Sequence, residues 1–270
     1  MLKSRLIPCI ITKGELVVQS FNFQRYLPIG NVKTAIEFFV NWDVDEIIVI
    51  DIDATVEGRS PNVALVEWAA RECFVPLTVG GGITGLADIQ HLLNAGADKV
   101  CLNNIVKVAP DFVTKAASVY GSQCITVSID AVETDQGLCV FDYATGKADQ
   151  GLLVKDYAQK VEALGAGEIF LNSVDRDGSR LGYDLTLLET VSSSVSIPVI
   201  ACGGVGKFEH LSQAILNGGC QAAAAANIFQ HTEHSTIAAK SQLLKDGVSV
   251  RLSSNVKYND FKFDCDGRPY

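Results

Sequence analysis

No apolar run in the 270-residue sequence approaches the ~18–20 residues that a membrane-crossing helix requires. The longest, such as IIVIDIDA from Ile47, are strand-sized and broken by acids, so no membrane span is expected. The first residues, MLKSRLIPCII, hold two cations but lack a long apolar stretch followed by a small-residue cleavage site. That differs from an export signal, and a cytoplasmic location is expected. Positive charge is scarce as well: 22 Lys+Arg against 31 Asp+Glu leave a net charge of −9 and a pI of about 4.9. Binding nucleic acid through a basic face needs clustered cations, so no nucleic-acid partner is expected. An anionic ligand would have to be held by a local site, not by the overall field. Metal-ligand spacing is missing too. The eight cysteines (Cys9, Cys73, Cys101, Cys124, Cys139, Cys202, Cys220 and Cys265) form no C-x-x-C, and the four histidines are not close to them. They read as small buried hydrophobes in a reducing compartment, and neither a metal nor a cofactor is expected.

What is present is a core-forming composition: 48% hydrophobic and 20% charged residues, which excludes disorder. Eight short apolar runs read as strands: Leu6–Ile11, Glu46–Ile52, Leu77–Val79, Lys99–Leu102, Ile125–Ile129, Glu168–Asn172, Val199–Ala201 and Ala222–Ala225. Most lack period-2 alternation, as parallel strands covered on both faces do. Helical patterns fill the gaps: Asn31–Asn41, Pro61–Glu72, Gly85–Ala95, Pro110–Tyr120, Leu153–Leu164, Asp184–Val191, Phe208–Asn217 and Thr236–Lys245. Eight strand–helix units in this length predict a closed (β/α)8 TIM barrel. An open doubly wound sheet is the competitor, but no G-x-G-x-x-G follows the first strand.

The sequence repeats itself. VPLTVGGGITGLADIQHLLNAGADK returns as IPVIACGGVGKFEHLSQAILNGGCQ, and DEIIVIDIDATVEGR returns as GEIFLNSVDRDGSR. Pro76 and Pro198, Gly81 and Gly203, and Glu46 and Glu168 all stand 122 positions apart. One constant offset in two separate segments predicts two homologous half-barrels, about 1–122 and 123–252, forming a single domain over 1–252. Residues 253–270, polar with interleaved aromatics, read as a C-terminal appendage.

In such a barrel, active-site groups sit where strands end. Two glycine turns occupy related positions: Gly80-Gly81-Gly82 after the third strand and Gly203-Gly204 after the seventh. Without side chains, their backbone N–H groups can converge on a phosphate, although a tight turn alone uses the same residues. Strands four and eight end in Asn103-Asn104 and Asn227, which can add amide donors or lead into helix N-termini. Two related sites suit a ligand with an anionic group at each end. Acids also close strands: Asp51 and Asp53 the second, Asp130 the fifth, and Asp175 and Asp177 the sixth. Each can be a general acid or base, or a cap on the adjoining helix or loop. Asp130 is the leading candidate because it ends an apolar strand with no capped helix start beside it. Cys9 and Cys202 read as core, since no histidine stands by as a base.

Over about residues 1–252, the stretches VPLTVGGGI, GADKV, GSQCI with SID ending at Asp130, LGAGEI, DRDG followed by GYD, and SIPVIACGG resemble a known family. It is the cyclase subunit of imidazole glycerol phosphate synthase, of the histidine-biosynthesis half-barrel group. The resemblance implies a glutaminase partner whose ammonia enters the barrel floor through a gate of charged residues, here Arg5, Glu46, Lys99 and Glu168. It places Asp98 at the partner contact. It implies substrate or phosphate binding at Gly81, Gly82, Asn103, Gly178, Gly203, Gly204 and Asn227, to which the strand-end reading adds Asn104. It implies catalysis by Asp130; Asp177 and, from its place at a strand end alone, Asp53 are further candidates. The sequence also departs from the pattern: the family's first catalytic aspartate falls on Ile11 and its following lysine on Gln19, while two threonines fall on Asp53 and Asn104. Ring closure is thought to use paired acid–base groups, and one of the pair is missing. A paralogous branch resembles this chain in that respect. Its members accompany a glutaminase and a synthetase-like protein, and ammonia is thought to convert a sugar's acetamido group into an acetamidino group for surface polysaccharide. An amidine-forming subunit acting on an anionic sugar is therefore expected. The alternatives are an authentic histidine-pathway cyclase and a non-catalytic barrel that activates the glutaminase.

Overall fold

The computed structural model describes residues 3–230 and 234–258. The first half runs β1 (Arg5–Lys13), β2 (Leu16–Phe21), β3 (Arg25–Asn31), α1 (Val32–Asn41), β4 (Ile47–Asp51), α2 (Val63–Glu72), β5 (Leu77–Gly80), α3 (Leu86–Asn94), β6 (Lys99–Leu102), α4 (Asn104–Val108) and α5 (Asp111–Tyr120). The second runs β7 (Ile125–Thr134), β8 (Gly137–Asp142), β9 (Lys147–Leu153), α6 (Val154–Ala163), β10 (Glu168–Ser173), α7 (Leu185–Ser192), β11 (Val199–Cys202), α8 (Phe208–Leu216), β12 (Ala222–Ala225) and α9 (Ser235–Lys245). Eight strands pair in parallel in the order β10, β11, β12, β1, β4, β5, β6, β7, and β7 pairs back to β10. The expected (β/α)8 barrel is therefore closed.

The alternation along each strand explains the flat apolar pattern. Leu6, Ile10, Ile47 and Val49 face outward and pack with the helices. Ile7, Cys9, Ile48, Cys101, Phe170, Ile200, Cys202, Ala222 and Ala224 form a separate cluster inside the barrel. Along most of their length both faces of these strands are buried, so apolar residues fall on both and no period-2 alternation appears. The repeat extends to helix starts. Asn62 caps α2 by accepting from Leu65 N at 3.1 Å, and Asp184, at the related position, caps α7 by accepting from Leu187 N at 3.0 Å. Asp88 Oδ2 accepts from Gly85 N at 3.0 Å ahead of α3, and His210 Nδ1 accepts from Gly206 N at 3.2 Å ahead of α8.

The sequence reading missed four strands. β2–β3 and β8–β9 are antiparallel hairpins inserted after the first strand of each half. β3 and β9 are largely exposed and carry no apolar run, which is why apolar runs did not reveal them. The available signals were the turns at Gly14 and Gly137, both with positive φ. The fifth strand also extends past the expected Ile129 to Thr134, because it feeds the second hairpin.

Beyond α9 the chain returns to the barrel. Lys240, fully buried, pairs with Asp45 at 2.8 Å and Asp43 at 3.1 Å, and Arg251 pairs with Asp45 at 3.0 Å. Tyr258 hydrogen-bonds Asp43, so the first residues of the expected appendage pack on the barrel. Residues 259–270, the rest of that appendage, and Cys265 lie outside the described residues. Among the described residues, no helix is long and apolar enough to cross a membrane.

Candidate functional site

At the C-terminal ends of the strands opens a cavity of about 350 Å³. Both glycine turns line it, through Gly81, Gly82, Gly203 and Gly204, as do Asn103, Asn104, Asp130, Asp177, Gly178 and Asn227. The fold thus brings ten of the eleven residues expected at this end of the barrel to one surface. Asp53 is the exception. It sits beside the cavity wall and pairs with Lys13 at 2.7 Å, a partner that β1 supplies by running two residues past its expected end. Ile11, on β1 where the resembled family has its first carboxylate, lines the same cavity and brings no proton donor.

The glycine turns are tightly determined. Gly81 has φ +108°, and a Cβ there would lie 2.2 Å from the Asp51 carbonyl oxygen. Gly204 has φ +99°, and its Cβ would lie 2.3 Å from the Gly182 oxygen. Gly182 N donates to Gly204 O at 2.8 Å, so the loop cannot shift without losing that bond. Gly204→Ala is expected to destabilise the fold by about 1–3 kcal/mol, read by urea denaturation. A variant as stable as the parent would show that the loop can give way.

Asp130 stands on β7 and is 6% exposed. Burial raises its carboxyl to about 6, partly offset by hydrogen bonding to Asn103 and by the Lys107 ammonium. Asn103 Nδ2 donates to Asp130 Oδ2 at 2.7 Å, so Asn103 orients this carboxylate as well as lining the cavity. Asn172, which the sequence reading did not single out, is buried at the end of β10 directly beside Asp130 and also hydrogen-bonds it. A carboxyl that titrates near neutrality can both give and take a proton. Asp177 is buried too, and burial raises its carboxyl. It accepts from Ser20 Oγ at 2.6 Å and Phe23 N at 3.3 Å, which ties the β2–β3 hairpin over the barrel mouth. From the other half, the β8–β9 turn meets it: Phe23 lies edge-on to Phe141 at 6.1 Å and to Tyr143 at 6.0 Å. Ser20 and Asp177 are 157 residues apart, and no local pattern marks such a pair. Arg180 at the rim lines the cavity and forms no ion pair among the described residues.

The cysteines inside the barrel are poor nucleophiles. A hydrogen bond with Cys9 and burial push the Cys202 thiol up, and burial pushes Cys101 up. Both stay protonated and behave as apolar filling. Among the described residues no cluster of histidine, cysteine or acidic side chains could hold a metal ion.

At the opposite end of the strands, four side chains form a closed ring of alternating charge. Arg5 pairs with Glu46 at 2.7 Å and Glu168 at 2.6 Å, and Lys99 pairs with Glu46 at 3.0 Å and Glu168 at 2.7 Å. Thr78 Oγ1 donates to Glu46 at 2.7 Å. Burial by itself would lower the Arg5 guanidinium, yet Glu168 and Glu46 carry it above its usual value. Gln19, which replaces the family's lysine, is buried in the β2–β3 hairpin. Asp98 is exposed on the ring side and accepts from Leu77 N at 2.8 Å.

Comparison with known proteins agrees with this architecture. The family described as "Histidine biosynthesis protein" matches residues 5–236. "Putative imidazole glycerol phosphate synthase subunit hisF2" of Vibrio vulnificus (strain YJ016) is 65% identical over 270 residues, covering 100% of this chain and 99% of that protein. The chain belongs to the histidine biosynthesis protein family, as a subunit of the imidazole glycerol phosphate synthase cyclase type.

Proposed function

We propose that this chain is the acceptor-binding subunit of a glutamine-dependent amidotransferase. Ammonia released by a glutaminase docked near Asp98 enters through the Arg5–Glu46–Lys99–Glu168 ring. It meets, above Asp130, an anionic sugar carrying an acetamido group. The observation that carries this reading is the pairing of a complete charged floor with a cavity that Asp130 lines and in which β1 contributes Ile11 where the resembled family has a carboxylate. Delivered ammonia is kept, and the paired acid and base of ring closure are not. The glycine turns and Arg180 supply N–H donors and a cation for the anionic group. The aromatic residues of the two hairpins supply a flat wall for a sugar or nucleotide.

In the net change, ammonia nitrogen replaces the amide oxygen. The C–O bond breaks and a C=N bond forms, with the oxygen lost from the acceptor. That oxygen leaves only after activation, which falls to a nucleotide-dependent synthetase-type partner. Asp130 removes a proton from the incoming nitrogen or delivers one to the departing oxygen. The test combines the chain with glutaminase, synthetase-type partner, ATP and a panel of nucleotide-linked acetamido sugars. Mass spectrometry should show exchange of O for NH, with either glutamine or ammonium as the nitrogen source. No ammonia-dependent product from any of them would refute the proposal. The name of the Vibrio relative favours a second reading, ring closure in histidine biosynthesis. Growth of a cyclase-deficient histidine auxotroph carrying this chain would favour that reading instead.

A further inference from the structure

The two halves of the barrel bring different pairs of residues to the cavity. In the first half, Ile11 of β1 pairs in register with Ile50 of β4. In the second, Asp130 of β7 pairs in register with Asn172 of β10. β1 and β7 open their respective halves, and Ile50 and Asn172 stand the same 122 positions apart as Gly81 and Gly203. The two pairs are therefore equivalents, one wholly apolar and the other a carboxylate beside an amide. All four residues line the cavity.

Asn172 is 8% exposed. Its side chain hydrogen-bonds the Asp130 carboxylate, and only the amide Nδ2 can donate that bond. Oδ1 is then left over, buried and without a partner among the described residues. It lies against Gly203 of the second glycine turn, where a Cβ would sit 2.9 Å from it. Gly203 has no Cβ and itself lines the cavity, so the oxygen stays open to a ligand there. A buried acceptor without a donor weakens a fold, and Ile50 shows that an apolar residue fits the equivalent position. An amide oxygen can only accept, so a ligand that satisfies it has to bring a hydrogen.

We propose that Asn172 Oδ1 accepts the N–H of the acceptor's acetamido group and so selects an amide at this position over an ester. The assignment rests on the amidotransferase reading above and deepens it by naming the atom that recognises the reacting group. With the N–H on Oδ1, the carbonyl carbon lies one bond further on, beside the Asp130–Asn172 pair. The acetyl methyl meets the apolar part of the cavity wall, to which Cys9, Ile11, Ile50 and Phe170 belong. The contact persists through the exchange of oxygen for nitrogen. A protonated amidine product keeps this N–H and donates it more strongly, because the donor then carries charge.

The test measures equilibrium binding to the full chain, without partners or ATP, so that proton transfer by Asp130 does not enter. The probes are the panel of nucleotide-linked acetamido sugars and, for the member bound most tightly, its analogue with O-acetyl in place of N-acetyl. The parent should bind the O-acetyl analogue about ten- to a hundredfold more weakly, since the ester has no hydrogen to give and leaves Oδ1 orphaned. In Asn172→Val and Asn172→Ala that preference should fall to within about twofold, as expected once the discriminating oxygen is gone. Loss of the contact between Asn172 and Asp130 alone would weaken both ligands alike and leave the preference as it was. Equal affinity of the parent for the two ligands, or a full preference retained in either folded variant, overturns the assignment. Neither result touches the amidotransferase reading, which stands or falls on product formation. If the parent binds no acetamido sugar of the panel, its role as the acceptor-binding subunit falls, and the assignment falls with it.

Discussion

Asp130→Asn is expected to slow product formation by about 100- to 10,000-fold, the usual contribution of a positioned general acid or base. Asparagine keeps the shape and the contact with Asn103, so the loss would reflect proton transfer and not collapse of the cavity. Burial lifts the Asp130 carboxyl from 3.8 to about 6. Acting as a base it has to be ionised, so the parent rate should rise through roughly pH 6, and the residual rate of the variant should lack that limb. The same shift has a consequence for stability. Between about pH 4 and pH 6 the folded protein keeps a proton that the unfolded chain has released. Stability from this group therefore falls as pH rises through that window and stays low above it. A shift of this size is worth on the order of 2–3 kcal/mol. Asp130→Asn should accordingly be more stable than the parent at pH 7, and the gap should close near pH 4. Asp177, also raised by burial, remains in both proteins, and its charge is one of the causes that raise Asp130. Equal stability at pH 7, or a gap that widens in acid, would contradict a buried carboxyl of this kind.

Glu46→Ala is expected to lower the unfolding free energy by about 3 kcal/mol, measured by urea denaturation at pH 7. The Glu46 side chain is 1% exposed and meets Arg5, Lys99 and Thr78. Its removal leaves two partly buried cations sharing Glu168. Breaking a buried pair from one side costs far more than the pair contributes, because the partner charge stays desolvated. Glu46→Gln, which keeps an acceptor for Thr78, should fall between the parent and the alanine variant. A loss below about 0.5 kcal/mol, the level of an exposed ion pair, would mean that water screens the ring. The two variants also separate the ends of the barrel: the first should spare stability and stop chemistry, and the second should weaken the fold from the floor.

The sequence was most readable where the physics is local or repeated. Both glycine turns and the eight barrel strands followed from apolar runs, turn residues and the constant spacing of the two halves. The charged ring came from resemblance, and its geometry then followed from four strand starts pointing inward at one level. The hairpins escaped because β3 and β9 pack only one partly exposed layer, so burial imposed little pattern on them. Asn172 escaped for another reason. It sits among apolar neighbours as an ordinary strand residue, and only the pairing of β10 with β7 sets it beside Asp130.

By itself, the sequence determined that two similar halves close one barrel and that Ile11 leaves a strand end without a carboxylate, since strand count, spacing and side-chain chemistry are properties of the chain alone. Tertiary structure decided which groups meet. Asp53 turned to Lys13 at the rim, and Ser20 reached Asp177 across 157 residues. Thr126 was left without a partner beside Glu168. Such pairings depend on strand register and barrel closure, which set distances between residues far apart in the chain and raise the pKa of a carboxyl only once water has been excluded from it.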